Sequence, residues 1–393
     1  MKILMASSYL PYPLHSGGQV RLYNLIKELS KKNEITLICE KRLHQTEDDI
    51  KEVEKICKKV ITVERKKQWS LRNIFKTFIT PHSFLITGHT NNQMQEIIEE
   101  ELRQQKFDLI HVETFYVSQN LPKLINIPVV LIDHNVEYLV YKKFMNKAPF
   151  FIRPLLAIDI TKIKNEEISA WKKADKVVAV SSEDKKEMEK SGINSSIVSN
   201  GVNIDKFSFK EKTKRQLKKI LFIGDFKWIQ NRDSIEFIIK NIWPLINQKS
   251  DFRLWIVGRK IPNSIRKLTD DPNIIFDEES SKKSAEEIFQ EADVLLAPIR
   301  VGGGTSYKIL ESMSCGTPVV TMIMSADAIR AKNGEHLMVG KNTEELAEKT
   351  VELLENKNLY EKVAKNGRKL IEEKYAWKNI AKNLEDVYKG VIK

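Results

Sequence analysis

The sequence predicts an α/β protein built as two Rossmann-like domains. Short apolar runs of strand length alternate with amphipathic stretches of helix length, the pattern of a parallel sheet covered by helices. At 393 residues the chain is too long for one ordinary core and suits two domains of about 150 to 200 residues. The plan also starts afresh: the segment from Asp205 to Lys219 is dense in lysine and poor in apolar residues, and a new strand follows at Ile220. The expected division is a domain over residues 1–205, a second over 206–375, and a C-terminal helix over 376–393.

Ile3 to Ala6 reads as the first strand and not as a signal peptide, because it carries one preceding charge and only a short apolar run. A loop rich in proline and glycine follows, then a helix with Leu22, Leu25, Ile26 and Leu29 at helical spacing. Gly17 and Gly18 fall at the start of that helix, beyond the carboxyl end of the strand, where open α/β sheets bind ligands. The Gly-x-Gly-x-x-Gly fingerprint of a dinucleotide site is absent. Further strands are predicted at Ile35 to Cys39, Val60 to Val63, Leu109 to Val112, Val129 to Asp133 and Lys176 to Ser181, with a helix from about Asn92 to Arg103. His134 directly follows one of these strands, where it can exchange hydrogen bonds with a sugar hydroxyl or serve as a structural turn residue. Asn200-Gly201 reads as a turn, since Asn-Gly tolerates positive φ.

The second half predicts strands at Ile220 to Gly224, Leu254 to Gly258, Ile274 to Phe276 and Val294 to Pro298. Ser284 and Glu287 have capping-box spacing, so Glu287 reads as a helix cap and not a catalytic acid. His336 reads as an ordinary loop residue. After Pro298 come Gly302, Gly303 and Gly304, a helix from about Thr305 to Ser314, and a strand from Pro318. Glycines let the backbone approach a ligand, and a helix start offers unpaired N–H groups, so this stretch suits a phosphate or diphosphate. Lys308 and Glu311, one turn apart, place an ammonium and a carboxylate on one helix face, ready for a phosphate and a ribose. A tight βα turn with a solvated Lys/Glu pair fits the same residues.

The stretch Glu311-Ser312-Met313-Ser314-Cys315-Gly316-Thr317-Pro318-Val319-Val320 resembles the Glu-Ala-Met-Ala-x-Gly-x-Pro-Val-Val donor signature of the GT-B glycosyltransferases of family 4. Gly303 stands where many members of that family carry a first glutamate. The resemblance implies the GT-B fold, two Rossmann-like domains facing each other across a cleft. It implies a retaining, metal-independent transferase of hexosyl type that moves a sugar from a nucleotide-diphosphate sugar to an acceptor hydroxyl. The acceptor would be a glycan, a lipid-linked molecule or a protein, in cell-envelope polysaccharide, glycolipid or other glycan synthesis. On the same resemblance, Gly17, Gly18, Lys227, Arg300, Gly303, Gly304, Thr305, Ser306, Lys308 and Glu311 would bind the donor, and His134 would lie near the transferred sugar. His134, Lys308 and Glu311 are the residues given catalytic roles. For Lys227 a solvated surface lysine remains the alternative. No cofactor is implied beyond the donor. A nucleotide-sugar epimerase and a non-catalytic nucleotide-sugar-binding protein are the rival readings.

Composition narrows the partners. A net charge of +12 favours an anionic one, but no recognised nucleic-acid module accompanies it. Cys39, Cys57 and Cys315 are scattered and odd in number, which argues against a disulfide framework and a zinc site and for a reducing, cytoplasmic setting. The chain has no Asp-x-Asp motif, and no stretch approaches the length of a membrane span. From Arg65 to Phe78, basic, aromatic and aliphatic residues interleave without an acid. That segment suits either an anionic membrane surface, on the inner face of the membrane, or an ordinary helix with Leu71, Phe75 and Phe78 in the core.

Overall fold

The computed structural model describes residues 1–212, 218–248, 252–278, 283–300 and 305–392, with Lys147 by its backbone alone. The chain divides into two compact units. One comprises Met1–Ser199 together with Ile380–Lys393, the other Asn200–Asn379.

The first unit is built on a sheet of seven parallel strands: β1 (Lys2–Ser7), β2 (Glu34–Lys41), β3 (Lys59–Glu64), β4 (Leu109–Glu113), β5 (Val129–Asp133), β6 (Lys176–Ala179) and β7 (Ser196–Ile197). Their spatial order is β3-β2-β1-β4-β5-β6-β7. Ile3 is in register with Ile35 on one side and Leu109 on the other, so continuous apolar runs lie side by side as a doubly covered parallel sheet requires. Leu4, Ala6, Ile38, Ile110, Val112 and Leu131 are among the buried residues of this core. The helix Gly17–Leu29 starts where the Ser16 side chain accepts from the Gln19 N–H, and it buries Leu22, Leu25, Ile26 and Leu29 as the periodicity predicts. Its Arg21 is almost fully buried, yet the guanidinium donates at 2.8 Å to the carbonyls of Val198 and Ser199, which repays part of its desolvation.

The second unit repeats the plan with six parallel strands: β8 (Lys218–Ile223), β9 (Phe252–Gly258), β10 (Ile274–Glu278), β11 (Val294–Ala297), β12 (Val319–Thr321) and β13 (Met338–Val339), in the order β10-β9-β8-β11-β12-β13. Ile220, Phe222, Leu254, Ile256, Leu296 and Val320 contribute to its core. The Ser284–Glu287 capping box is formed, with the Glu287 side chain accepting from the Ser284 N–H at 2.7 Å. His336 serves its own loop, its Nδ1 accepting from the Lys332 N–H.

Three expectations need correction. Asn200-Gly201 is not a turn: neither residue has positive φ, and Val202 pairs with Ala376 in an isolated parallel bridge. Glycine is needed there because a Cβ at position 201 would lie 2.8 Å from the Trp377 ring and 3.0 Å from the Tyr375 carbonyl oxygen. The glycine-loop helix begins at Tyr307, two residues later than its predicted start at Thr305. The third concerns Leu71–Ile79, a helix in which no residue is buried: Leu71, Phe75 and Phe78 are 86%, 64% and 64% exposed, so the core alternative for this segment is wrong.

Candidate active site

In each sheet two strands distant in sequence lie side by side, β1 with β4 and β8 with β11, and the connections run away from that pair in opposite directions. The carboxyl ends of such a pair leave a crevice that open α/β proteins use for ligands. The predicted site residues that fall among those described lie near these two places, in one unit or the other.

In the first unit the centre is a residue that the sequence did not single out. Glu113 ends β4, is fully buried, and accepts from His111 Nε2 at 2.6 Å on one oxygen and from His134 Nε2 on the other. Burial pushes its carboxyl up, but the neighbouring His134 and the hydrogen bonds from both histidines outweigh burial and hold it well below the usual carboxylate range. A carboxylate only accepts, so both Nε2 atoms carry hydrogen. His111 Nδ1 lies 2.5 Å from the buried Tyr388 hydroxyl, and burial keeps that phenol protonated. The chain Tyr388–His111–Glu113–His134 thus fixes the His134 ring with its Nδ1 directed away from Glu113. Thr114, next in sequence, has φ +76, an outlier for a β-branched residue, and marks stored strain beside the carboxylate.

Gly18 is in the same place. A Cβ there would lie 3.0 Å from the Tyr9 hydroxyl and 3.3 Å from His134 Cε1, so glycine lets the helix start close on the imidazole. Gly17 opens the same helix. Asp133, which precedes His134, is structural: it accepts from the Phe115 N–H at 2.8 Å and from Trp171 Nε1 at 2.6 Å.

In the second unit Lys308 and Glu311 lie in the helix Tyr307–Ser314, which follows β11 and has Ile309, Leu310 and Met313 buried. Lys308 Nζ donates to Asn231 Oδ1 at 2.8 Å and sits 4.4 Å from the Phe222 ring centroid. Asn231, in the first turn of the helix Ile229–Phe237, is oriented by a second bond, its Nδ2 donating to the Asp225 carbonyl at 2.8 Å. Lys308 and Glu311 both keep some contact with solvent, while their charged ends are surrounded by protein. Burial lowers the Lys308 ammonium to about 7, with Glu311 opposing, and raises the Glu311 carboxyl to about 7, with Lys206 and Lys308 opposing. The Lys308 ammonium is thus engaged by Asn231 and the Phe222 ring and is not a freely solvated lysine. The Glu311 carboxylate has no hydrogen-bond partner among the described residues.

Thr305 and Ser306 immediately precede this helix. The Thr305 hydroxyl is buried without a partner among the described residues, and Ser306 leaves the helix start without a side-chain cap. Gly303 and Gly304, with Gly302, lie outside the described residues. Arg300 is already engaged, donating to both Asp233 oxygens at 3.1 and 3.2 Å and stacking 4.0 Å from the Phe237 centroid. The Lys227 side chain is 45% exposed, 3.5 Å from Asp225 and 5.1 Å from the Trp228 centroid.

Comparison with known proteins agrees with this architecture. Residues 15–206 match the family described as Glycosyltransferase Family 4, and residues 217–356 match Glycosyl transferases group 1. The chain belongs to the group 1 glycosyltransferases of GT-B fold, and it is a glycosyltransferase. Among solved structures it is similar to sucrose-phosphate synthase from Thermosynechococcus elongatus (TM-score 0.71, 15% identity, 99% of each chain covered). It is also similar to a glycosyltransferase from Rickettsia africae (0.69, 16%, 100% and 98%). A third such structure is HepE from Anabaena in complex with UDP-glucose (0.64, 13%, 99% and 100%). No curated protein matches the sequence.

Proposed function

We propose that this chain moves a sugar, with retention of configuration, from a nucleotide-diphosphate sugar to an acceptor hydroxyl. One arrangement carries the reading: on a single helix face, beside the β8/β11 crevice, an ammonium is held by Asn231 and a carboxylate stands without a hydrogen-bond partner among the described residues. Glu311 accepts from the two ribose hydroxyls. Lys308, the N–H groups of Thr305 and Ser306, and Arg300 once it leaves Asp233 meet the diphosphate, and Gly303 and Gly304 are assigned to donor binding with them. Negative charge on the diphosphate grows as the glycosidic bond breaks, so fixed donors stabilise the transition state more than the ground state. In this reading the cations and helix start do that work without a metal, and the hexosyl group meets His134 with its imidazole oriented by Glu113. Gly17 and Gly18 bring backbone to the donor in the first unit, and Lys227 adds longer-range positive charge.

The acceptor is a glycan, lipid-linked or protein hydroxyl of cell-envelope or other glycan synthesis. The basic, aromatic segment from Arg65 to Phe78 supports a peripheral position at the inner face of an anionic membrane, where a lipid-linked acceptor would be met. Among the described residues no helix is long and apolar enough to cross a membrane.

A thermal-shift panel of UDP-, GDP- and ADP-sugars tests the donor reading, because a ligand that binds only the folded state raises its melting temperature. HepE binds UDP and UDP-glucose, which makes the uridine compounds the first probes. One member of the panel is expected to raise the Tm, and the Lys308→Met variant is expected to lose that rise. A flat response to the whole panel contradicts the proposal.

A further inference from the structure

The helix Leu71–Ile79 stands on the surface of the first unit. The Ser70 hydroxyl caps it by accepting from the Asn73 N–H, and Leu71, Phe75 and Phe78 repeat at i, i+4 and i+7 along one exposed stripe, with Trp69 beside them 80% exposed. Lys66, Lys67, Arg72 and Lys76 flank the stripe, all exposed.

A second stretch shows the same composition. Between Tyr138 and Ile158 there is no acidic residue, while Lys142, Lys143, Lys147 and Arg153 are basic. It runs through the helix Glu137–Lys147, a short 3-10 turn Phe150–Ile152 and the start of the helix Arg153–Lys173. Phe144, Phe150, Phe151 and Ile158 are 65%, 79%, 69% and 59% exposed. The two stretches are neighbours: Lys162 Nζ donates to the carbonyls of Thr77 at 2.5 Å and Thr80 at 2.8 Å, and Asp159 accepts from the Phe84 N–H at 2.8 Å. Most of the exposed large hydrophobic residues among those described lie in these two stretches.

Apolar surface of this extent facing water is unusual in a chain without a partner. Its charge decides which partner fits. A second copy would set cations against cations, whereas an anionic bilayer offers apolar depth beneath a negative surface, and aromatic residues favour that boundary. We infer that the two stretches form one docking surface for an anionic lipid bilayer, with Trp69, Phe75, Phe78, Phe150 and Phe151 inserted at headgroup level and the lysines and arginines paired with lipid charge. This rests on the peripheral reading above and deepens it by adding the segment from Tyr138 to Ile158.

The test is flotation of the full chain with vesicles of phosphatidylcholine plus phosphatidylglycerol, and with phosphatidylcholine alone, at low salt. Binding is expected only to the anionic vesicles, with a blue shift of tryptophan emission that Trp69→Phe removes. Phe75→Ser/Phe78→Ser and Phe150→Ser/Phe151→Ser are each expected to weaken binding about tenfold or more, as loss of inserted apolar area requires. Since all four phenylalanines are exposed, the Tm of these variants should not change. Leu43→Ser/Leu124→Ser, exposed residues outside both stretches, should bind like the parent. Absence of binding to anionic vesicles overturns both this inference and the peripheral reading. Binding abolished by Lys66→Glu/Lys67→Glu/Arg72→Glu but untouched by Phe150→Ser/Phe151→Ser overturns the inference alone. A lipid-free dimer that Phe75→Ser/Phe78→Ser dissociates overturns it in favour of self-association.

Discussion

Glu113 and His134, the ends of adjacent strand-and-loop segments, share a buried hydrogen bond in which the imidazole Nε2–H donates to the carboxylate. The same carboxylate holds His111, so a single side chain orients two histidines.

Replacing Glu113 by glutamine should therefore destabilise the fold by about 3 kcal/mol, the scale of breaking a buried charged pair, since the amide nitrogen would face a histidine N–H. The pH dependence has a defined sign. The folded carboxyl lies below its unfolded value, so its stabilisation is present above the unfolded value of about 4.3 and is lost as pH falls. Urea unfolding at neutral and acidic pH checks this: the parent should lose more stability on acidification than Glu113→Gln does.

Glu113 also shows where sequence reading stops. Periodicity located the strand Leu109 to Val112 and placed His134 after its neighbour, because apolar runs and their spacing are local properties. The partner of His134 is set by strand order across the sheet, which no local pattern records. A histidine and an acid inside an otherwise apolar buried strand were the available signal, since each needs a partner there. Asn231 escaped for the same reason: its bond to Lys308 joins the helix that follows β8 to the helix that follows β11, residues far apart in sequence. Asn200-Gly201 misled because Asn-Gly is a local turn signal, whereas its glycine answers to the distant ring of Trp377. The helix pair Lys308 and Glu311 was legible because one turn of helix fixes both.

Nucleoside diphosphate affinity should follow a bell with both limbs near pH 7. Lys308, at about 7 in the free protein, must be protonated to meet the diphosphate, so affinity falls above that value. Glu311, also near 7, must be ionised to accept from ribose, so affinity falls below it. Calorimetric titrations across pH should show Lys308→Met flattening the alkaline limb and Glu311→Gln the acidic one.

Glu311→Ala should weaken nucleotide binding by roughly 1.5 to 3 kcal/mol, the range for hydrogen bonds to a charged group. Unchanged affinity in a folded variant would remove Glu311 from the ribose site.

Turnover is expected to survive chelation, because Lys308, Arg300 and the helix start supply the charge that a metal would otherwise provide. Activity lost in EDTA and restored by magnesium or manganese would refute the metal-free reading.

The central claim is that the donor's nucleotide sits in the second unit, on Lys308 and Glu311. Hydrogen–deuterium exchange with and without the best nucleoside diphosphate of the UDP, GDP and ADP series tests it directly. Slowed exchange is predicted in the segments Gly224–Asn231 and Thr305–Glu311, and it should vanish in Lys308→Met/Glu311→Ala. Protection confined to segments of the first unit, or persisting unchanged in that variant, would contradict the account.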